Sequence, residues 1–254
     1  MKRLTKSLSL FLLLAMIFSL TACVKTPPVD EGPEAVETDV LIIGAGGAGL
    51  TAAFFARDAG KDVILLEKRA FTGGNSILAG KFDAGGSKVH DELGVDYSAE
   101  DHYNDTFEEV GQATEAADPD FVRNFTSKGG AIIDWLKDVI GAPIGRIVNG
   151  KEIYAPLETG EKLTAEAIVL LTERVKEMGV DLRLETAGTK LLAEDGKVVG
   201  AEVKGPEGEY TIKAKAVIIA SGGFAASDSL VSKYAPEWGG TPTSNTDETT
   251  GDGI

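Results

Sequence analysis

The sequence has a single cysteine and two histidines among its 254 residues, and far fewer basic than acidic side chains. One cysteine excludes an intramolecular disulfide and a cysteine-rich zinc or iron–sulfur site, and two histidines argue against a histidine-rich metal centre. With 25 Lys and Arg against 40 Asp and Glu, the formal net charge is −15. Phosphate binding by a nucleic-acid partner needs a cationic face, so no nucleic acid is expected.

The overall composition is that of a globular chain. Hydrophobic residues at 43% and charged residues at 26% exclude a disordered or fibrous protein, and the length corresponds to one large domain or two small ones. Glycine is over-represented, with 31 residues, against roughly 7% in an average protein. The surplus indicates places where the backbone approaches another group closely.

The first 22 residues are typical of a secretory signal peptide. Three basic residues precede an uninterrupted apolar run over residues 10–18, which is shorter than the about 20 residues that cross a bilayer. Leu-Thr-Ala-Cys, ending at Cys23, resembles the lipobox of bacterial lipoproteins, in which the cysteine is acylated before cleavage. The alternative is a stray cysteine at the end of an ordinary signal or a membrane anchor. We expect lipidation at Cys23 and a lipid-anchored protein on the extracytoplasmic side of a bacterial cell membrane.

Residues 23–37 are expected to form an extended tether, because three prolines lie there among acidic residues. Removal of residues 1–22 takes away three positive charges and no negative ones. An anionic bilayer would therefore repel the mature domain, and the two acyl chains of a diacylglycerol would have to hold it there. The folded domain is expected over residues 38–254.

A glycine-rich segment between a predicted strand and a predicted helix is the most informative motif. The apolar run 40–43 is typical of a strand buried on both faces, and residues 50–59 predict a helix of small and apolar side chains. Between them, residues 44–49 read Gly-Ala-Gly-Gly-Ala-Gly, and Glu67 ends a second buried strand. An acidic residue about 20 positions after such a loop completes the dinucleotide-binding fingerprint.

Each part of this fingerprint has a physical role. Gly44 makes the tight turn, Gly46 lets the backbone reach a pyrophosphate, and Gly49 lets the helix lie close to the strand. The helix N-terminus offers N–H groups to phosphate, and Glu67 would accept both ribose hydroxyls of adenosine. The alternative is a glycine-rich turn that binds nothing. The expected contacts are Gly44, Ala45, Gly46, Gly47, Ala48, Gly49, Glu67 and Lys68.

The remainder of the chain favours FAD over NAD. A second glycine-rich loop, residues 73–76, follows Glu67 closely, where a simple NAD domain would continue into its next strand and helix. Two predicted strands flank Asp195-Gly196, a strong hairpin signal, and a third over residues 209–214 completes a three-stranded meander. Residues 215–220 then return to the buried sheet.

In this arrangement the sequence resembles the FAD-binding domain of the fumarate reductase/succinate dehydrogenase flavoprotein family, especially its flavocytochrome c and urocanate reductase branch. The matching landmarks are residues 44–49, Glu67, residues 73–76, residues 118–136, the Gly-Gly-Phe turn at 222–224 and Thr-Gly-Asp-Gly at 250–253. The resemblance implies an α/β fold. It would be an FAD-type, glutathione-reductase-like Rossmann domain with a three-stranded β-meander and a helical insertion, without the family's capping domain.

The resemblance also implies FAD as cofactor. Asn75 and Ser76 would approach the diphosphate–ribityl part and the flavin, and Ala187 or Gly188 would touch adenine through the backbone. The further implied contacts are Gly74, Gly80, Ala220, Gly222, Gly223 and Asp252. The chain departs from the family at Lys81, where a second of two adjacent glycines is usual, and Lys81 is expected where flavin and substrate meet.

The middle of the chain, residues 98–141, has apolar side chains at helical spacing and is expected to be structural. His102 is interpreted as a surface residue of an acidic amphipathic helix, and His90 as part of a loop. Trp135 is expected in the core rather than stacked on a flavin. Thr164 is expected to cap the next helix.

By family resemblance, the reaction is reduction of the carbon–carbon double bond of a small unsaturated carboxylate such as fumarate or urocanate. Electrons would come from a donor protein or a quinol-linked carrier. The family's substrate-binding and proton-donating residues lie beyond the Thr-Gly-Asp-Gly motif, and between Gly222 and Ile254 the only basic residue is Lys233. No catalytic residue is therefore matched, and little activity is expected from this chain alone.

Three interpretations stay open. The chain is the amino-terminal part of a membrane-anchored flavin reductase, a flavin-binding or electron-carrying lipoprotein that works with another chain, or a nonfunctional remnant. The first is favoured, because an end inside a glycine-rich cofactor loop would leave the sheet exposed.

Overall fold

The structure is a computed structural model that describes residues 36–111, 118–160 and 162–254. The predicted signal peptide, Cys23 and most of the predicted tether lie outside these residues. The strands are β1 (Val36–Ile43), β2 (Val63–Leu66), β3 (Phe82–Asp83), β4 (Arg146–Val148), β5 (Glu152–Tyr154), β6 (Asp181–Arg183), β7 (Ala187–Glu194), β8 (Lys197–Gly205) and β9 (Gly208–Ile219). The helices are α1 (Gly47–Asp58), α2 (Lys88–Leu93), α3 (Ala99–Gly111), α4 (Pro119–Trp135), α5 (Leu163–Glu177) and α6 (Asp228–Tyr234).

Six strands form the main sheet, in the order β6-β2-β1-β9-β8-β7. β6, β2, β1 and β9 run parallel, whereas β9, β8 and β7 form an antiparallel meander. A second, three-stranded sheet has the order β3-β5-β4. The α/β class, the Rossmann-type sheet, the three-stranded meander and the helical insertion are thereby confirmed. The family's capping domain is not covered by this chain.

Two boundaries in the sheet differ from the sequence prediction. β1 begins at Val36, because Val36 and Glu37 pair with Ile212 and Lys213 of β9. The tether predicted to reach residue 37 therefore ends earlier. The third meander strand and the returning buried strand are a single strand, β9, whose first half pairs with β8 and whose second half pairs only with β1.

The core lies between the parallel strands and the helices that cover them. All four residues of β2 are buried, and Leu41 and Ile42 of β1 are fully buried. In α1 the buried face consists of Gly49, Leu50, Ala53 and Phe54. Continuous apolar runs are typical of parallel strands covered on both faces, which explains why these elements could be predicted. No helix in the described ranges is long and apolar enough to span a membrane.

Both histidines are buried, contrary to the sequence prediction. His90 lies in α2 with 1% of its surface exposed; its Nδ1 is 2.6 Å from Ser87 Oγ and its Nε2 is 3.0 Å from the Gly150 carbonyl oxygen. It is part of a capping box rather than a loop. His102, on α3, is 3% exposed and packs near the rings of Tyr97 and Phe125. It belongs to the apolar side of its helix.

Of the other local predictions for this region, those for Asp118 and Trp135 are confirmed and that for Thr164 is wrong. Asp118 caps α4 as expected, because its side chain accepts a hydrogen bond from the Asp120 N–H at 2.9 Å. Trp135 packs against Phe54, with ring centroids 5.1 Å apart, as expected of core packing. Thr164 is not the cap of α5: it is buried in the first turn, and its hydroxyl accepts from the Gly80 N–H at 2.9 Å.

Two glycines in the insertion, Gly85 and Gly130, allow neighbouring stretches of backbone to pack closely. A Cβ on Gly85 would lie 2.2 Å from the Ser98 carbonyl oxygen. A Cβ on Gly130, inside α4, would lie 2.4 Å from the Gly86 carbonyl oxygen. Real Cβ atoms do not approach backbone so closely. The loop after β3 can therefore lie against the start of α3 only with glycine at position 85, and against α4 only with glycine at position 130.

We therefore predict that Gly130→Ala destabilises the domain, although glycine-to-alanine changes within a helix ordinarily stabilise it by about 1 kcal/mol. Overpacking against a fixed backbone should lower the free energy of unfolding by about 1–3 kcal/mol. Urea denaturation measures the difference, with Ser127→Ala at an exposed position of the same helix as control. A Gly130→Ala protein more stable than wild type would contradict this packing.

Candidate cofactor-binding site

A cavity of about 450 Å³ opens where three parallel strands end. Ile43, Leu66 and Ile219, the last residues of β1, β2 and β9, all line it. Open α/β sheets bind ligands at the carboxyl ends of their strands, and ligand cavities commonly measure about 300–1,000 Å³. The position and size of the cavity therefore suit a nucleotide ligand.

Most residues predicted to contact the cofactor line this cavity. They are Gly44, Gly46, Gly47, Ala48, Glu67, Lys68, Gly74, Asn75, Ser76, Ala187, Gly188, Ala220, Gly222 and Asp252. Ala45, Gly49, Gly80 and Gly223 are not among the lining residues. Ala45 is fully buried, and Gly80 is turned to Thr164 by its N–H. Ala45 and Gly80, which were predicted to contact the cofactor, therefore make contacts within the protein instead.

The glycines of the first loop divide into two kinds. A Cβ on Gly49 would lie 1.8 Å from the Gly44 carbonyl oxygen, and a Cβ on Gly44 would lie 2.4 Å from the Ala220 carbonyl oxygen. These two glycines are required by the chain's own packing. Gly46 has an ordinary extended conformation, and a Cβ there would meet only the Gly73 carbonyl oxygen, at 3.8 Å. Nothing in the described chain requires glycine at position 46.

The second glycine-rich loop is fastened to the first. The Gly73 N–H donates to the Ala45 carbonyl oxygen at 2.8 Å. Ser76, in a short 3-10 helix (Gly74–Leu78), accepts through Oγ from the Gly47 N–H at 3.2 Å. The two loops therefore form one backbone surface at the N-terminus of α1. The Gly47 N–H is taken by Ser76, and the next N–H groups of the first turn, which have no partner within the helix, favour an anion.

Glu67 closes the opposite end of this surface. It is 6% exposed; its Oε2 accepts from the Ala45 N–H at 2.9 Å and its Oε1 from the Arg69 N–H at 3.0 Å. Each carboxylate oxygen has two lone pairs, so both oxygens keep an acceptor site for a ribose hydroxyl. Glu67 therefore holds the loop in place and suits the adenosine end of a dinucleotide.

Lys68 and Asn75 point to a segment late in the chain. Lys68 Nζ lies 2.8 Å from Asp252 Oδ2, and Asn75 Nδ2 donates to Thr249 Oγ1 at 2.8 Å. Burial by itself would raise the pKa of Asp252, but hydrogen bonds from Lys68 and Thr250 together with the lysine charge hold that pKa below its ordinary value. Sequence reasoning placed these residues around the cofactor and missed that they contact one another.

Lys81 does not line the cavity, contrary to the expectation that it meets flavin and substrate. Its ammonium lies 2.8 Å from Asp83 and 2.5 Å from Glu152. Burial opposes the charge, yet the hydrogen bonds to these two carboxylates raise the pKa of Lys81 well above its ordinary value. Lys81 joins β3 to β5 through these two ion pairs, which favour its charged form.

Sequence reasoning missed several residues that line the cavity. They are Arg69, Thr186, Thr189, Lys190, Leu191, Ser221, Thr246, Glu248 and Thr249. Thr246 and Thr249 directly precede the Thr-Gly-Asp-Gly motif, so a hydroxyl-rich approach to that motif was a signal that could have found them. In the parts of the chain that the structure describes, no three His, Cys, Asp or Glu side chains are grouped to hold a metal.

The two kinds of glycine generate a test. Gly46→Ala should leave the free energy of unfolding within about 0.5 kcal/mol of wild type. It should weaken FAD binding by roughly 10-fold or more, because an added methyl would press on the bound pyrophosphate. The matched variant Gly49→Ala should instead lower stability by at least about 1–3 kcal/mol. Urea denaturation and FAD titration measure the two effects, and Gly46→Ala with unchanged FAD affinity would contradict the assignment.

Comparisons with known proteins agree with this geometry. Residues 39–254 match the family described as FAD binding domain. The chain is 34% identical over 225 residues to a fumarate reductase (cytochrome) of Shewanella frigidimarina, covering 85% of this chain and 38% of that protein. It is 31% identical over 223 residues to a urocanate reductase of Eggerthella lenta, covering 82% of this chain and 36% of that one.

A solved structure leads to the same conclusion. The open conformation of a flavocytochrome c3 fumarate reductase aligns with a TM-score of 0.77 and 32% identity, over 87% of this chain and 40% of that chain. The chain thus spans about two fifths of the length of these relatives. The predicted resemblance and the predicted cofactor are confirmed: the chain belongs to the FAD binding domain family, and its cofactor is FAD.

Proposed function

We propose that this chain is the flavin-binding part of an oxidoreductase that reduces the carbon–carbon double bond of a small unsaturated carboxylate, such as fumarate or urocanate. The observation that carries the proposal is the cavity at the ends of β1, β2 and β9, lined by Gly46, Glu67 and Asn75, in a chain similar to fumarate and urocanate reductases. A cytochrome-type donor protein or a quinol-linked carrier would supply the electrons.

The chain's own residues would hold and orient the cofactor. FAD, when bound, supplies hydride-transfer chemistry. Glu67 would accept hydrogen bonds from the ribose, and the N–H groups at the start of α1 would face the pyrophosphate. Asn75 and Ser76 extend the same surface toward the flavin end. Holding the cofactor rigidly keeps its reactive atom at a fixed place, which is the chief protein contribution in cofactor enzymes.

The substrate half of the reaction needs cations that polarise a carboxylate and stabilise a developing carbanion. Of the basic residues that line the cavity, Lys68 and Lys190 pair with carboxylates. Arg69 lies over the Phe71 ring, and its buried Nη1 has no hydrogen-bond partner among the described residues. Lys81 is held by two carboxylates. We therefore propose that the cationic substrate contacts come from polypeptide other than residues 36–254.

The reaction is tested with residues 23–254 reconstituted with FAD, reduced by a viologen and mixed anaerobically with fumarate, urocanate or acrylate. The bound flavin should be reduced, but its reoxidation should be slow, because losing each preorganised donor lowers the rate by about 10²–10³. Stopped-flow absorbance of the flavin measures both steps.

Supplying the polypeptide that carries the cationic groups should accelerate reoxidation by one of these carboxylates. Succinate, which has no double bond, is the matched control ligand. Rapid turnover by residues 23–254 alone would contradict the proposed origin of the cationic groups. A reconstituted protein that retains no FAD would contradict the proposed function as a whole.

The proposal includes attachment to a bacterial cell membrane through lipid on Cys23, with the domain on the extracytoplasmic side. Its support is the position of the chain's only cysteine at the end of Leu-Thr-Ala, after a basic start and a short apolar run. Two acyl chains give stable anchoring where one chain is marginal. Without the three basic residues of positions 1–22, the mature chain is more acidic than the full chain with its net charge of −15, so it needs such an anchor at an anionic surface.

Cys23→Ala should abolish metabolic labelling with palmitate and block processing of the precursor, because the thiol is the acylation site. Labelling followed by gel electrophoresis of whole cells measures both effects. Thr21→Ser, which keeps a small polar residue beside the cysteine, is the matched control and should be labelled normally. A Cys23→Ala protein that stays labelled and processed would overturn the lipid anchor.

A further inference from the structure

One wall of the cavity is a segment distant in sequence from the nucleotide-binding loops. We call residues 246–252 the strap. Thr246, Glu248, Thr249 and Asp252 of the strap line the cavity. The strap crosses between the end of β2 and the 3-10 helix Gly74–Leu78, because one side chain from each of these places holds it.

Lys68 holds the strap at the end of β2. Its ammonium donates to the Glu248 carbonyl oxygen at 2.7 Å, to Thr250 Oγ1 at 3.0 Å and to Asp252 Oδ2 at 2.8 Å. A lysine ammonium has three N–H donors, and these three acceptors use all of them. Lys68 therefore has no donor left for a phosphate of the cofactor, although it lines the cavity beside Glu67.

Asn75 holds the strap at the other side. Its Nδ2 donates to Thr249 Oγ1 at 2.8 Å, and its Oδ1 accepts from the Thr246 N–H at 2.8 Å. Within the strap the Thr249 N–H donates to the Thr246 carbonyl oxygen at 3.0 Å. Two backbone bonds join the strap to the chain after β9: the Gly251 N–H donates to the Gly223 carbonyl oxygen at 3.0 Å, and the Ala226 N–H donates to the Thr249 carbonyl oxygen at 2.9 Å. Thr249 is 5% exposed. The strap is thus a fastened segment rather than a loose loop.

We propose that Lys68 is a positioning residue that closes the strap over the cofactor cavity and so controls the entry and release of FAD. The inference rests on the proposed cofactor role of the cavity. Because the three bonds of Lys68 all run to the strap, Lys68 acts on the cofactor through the position of that wall. Asn75 and the Ala226–Thr249 backbone bond hold residues 246–249 of the strap and limit the opening to residues 250–252, on the Lys68 side.

The two possible roles of Lys68 predict different kinetics of FAD binding. Lys68 is either a clasp, a residue that holds the strap closed over the cavity, or a direct ligand of an FAD phosphate. Removing a clasp makes the cavity easier to enter and easier to leave, so both the association and the dissociation rate of FAD rise. Removing a direct phosphate ligand raises the dissociation rate, whereas the association rate stays constant or falls with the lost positive charge. The association rate therefore distinguishes the two roles.

The test compares wild type with Lys68→Met, which keeps the aliphatic stem and removes the charge and the donors. Stopped-flow flavin fluorescence measures both rates with FAD as the ligand. We expect both rates to rise by about 10-fold or more, since hydrogen bonds to charged groups are involved. Lys68→Arg, which retains several N–H donors, should restore rates close to wild type.

Lys88→Met is the matched control, because Lys88 also pairs with one aspartate, Asp138 at 3.2 Å, and does not line the cavity. Its FAD rates should equal those of wild type. An unchanged or lower association rate in Lys68→Met would overturn the clasp. A general loss of structure is recognised by far-UV circular dichroism, and Lys68→Arg then provides the comparison.

A second readout needs no cofactor. Amide hydrogen exchange of Gly251 in the FAD-free protein should accelerate in Lys68→Met and stay unchanged in Lys88→Met, because the Lys68 side of the strap is released. Unchanged exchange in Lys68→Met would also overturn the clasp. A wild-type protein that retains no FAD would contradict the proposed function, whereas normal FAD retention with unchanged variant rates would contradict only the strap.

Discussion

The contact between Gly44 and Gly49 is the constraint on which the rest of the site depends. A Cβ on Gly49 would lie 1.8 Å from the Gly44 carbonyl oxygen, so α1 can begin directly above the end of β1 only with glycine there. This contact brings the helix N-terminus to the edge where β1, β2 and β9 end. Glu67 then reaches back to the Ala45 N–H, and Gly73 pairs with Ala45 from the other side.

The sequence predicts well those elements whose residues are chosen by local and periodic rules. Continuous apolar runs identify β1 and β2, the fingerprint glycines identify the turn into α1, and Asp118 identifies the start of α4. These features depend on spacing along the chain. The Rossmann sheet and its meander follow from them, and so does most of the lining of the cavity.

Features that depend on tertiary contacts could not be read from spacing. His90 and His102 are polar residues that are nevertheless buried. Ser87 and the Gly150 carbonyl oxygen are hydrogen-bond partners of His90, and His102 packs near the rings of Tyr97 and Phe125. Lys81 faces two carboxylates, one of them on β5 far along the chain. The partners of Lys68 lie 180 to 184 residues away, and no local pattern relates positions so distant.

The surplus of glycine has two causes, close packing of the chain on itself and room for a ligand, and only the structure distinguishes them. Gly85 and Gly130 are needed where a loop lies on a helix, and Gly44 and Gly49 where a helix meets a strand. Gly46 has room for a side chain and an ordinary backbone conformation. The sequence motif treats these glycines alike, whereas the structure distinguishes glycine required by the fold from glycine left for a ligand.

The groups that line the cavity explain how an acidic domain can hold an anionic cofactor. Two basic residues that line the cavity are paired, Lys68 with the strap and Lys190 with Glu202 at 2.8 Å. Arg69 lies over the Phe71 ring at 4.1 Å and keeps a buried Nη1 without a hydrogen-bond partner among the described residues. The N-terminus of α1 carries about half a positive charge and lies at the cavity itself. Surface carboxylates more than about 10 Å away are screened at ordinary ionic strength. Affinity for a pyrophosphate therefore depends on donors held at short range, the backbone N–H groups and the unpartnered Nη1 of Arg69, and the net charge of −15 chiefly affects how fast an anion approaches.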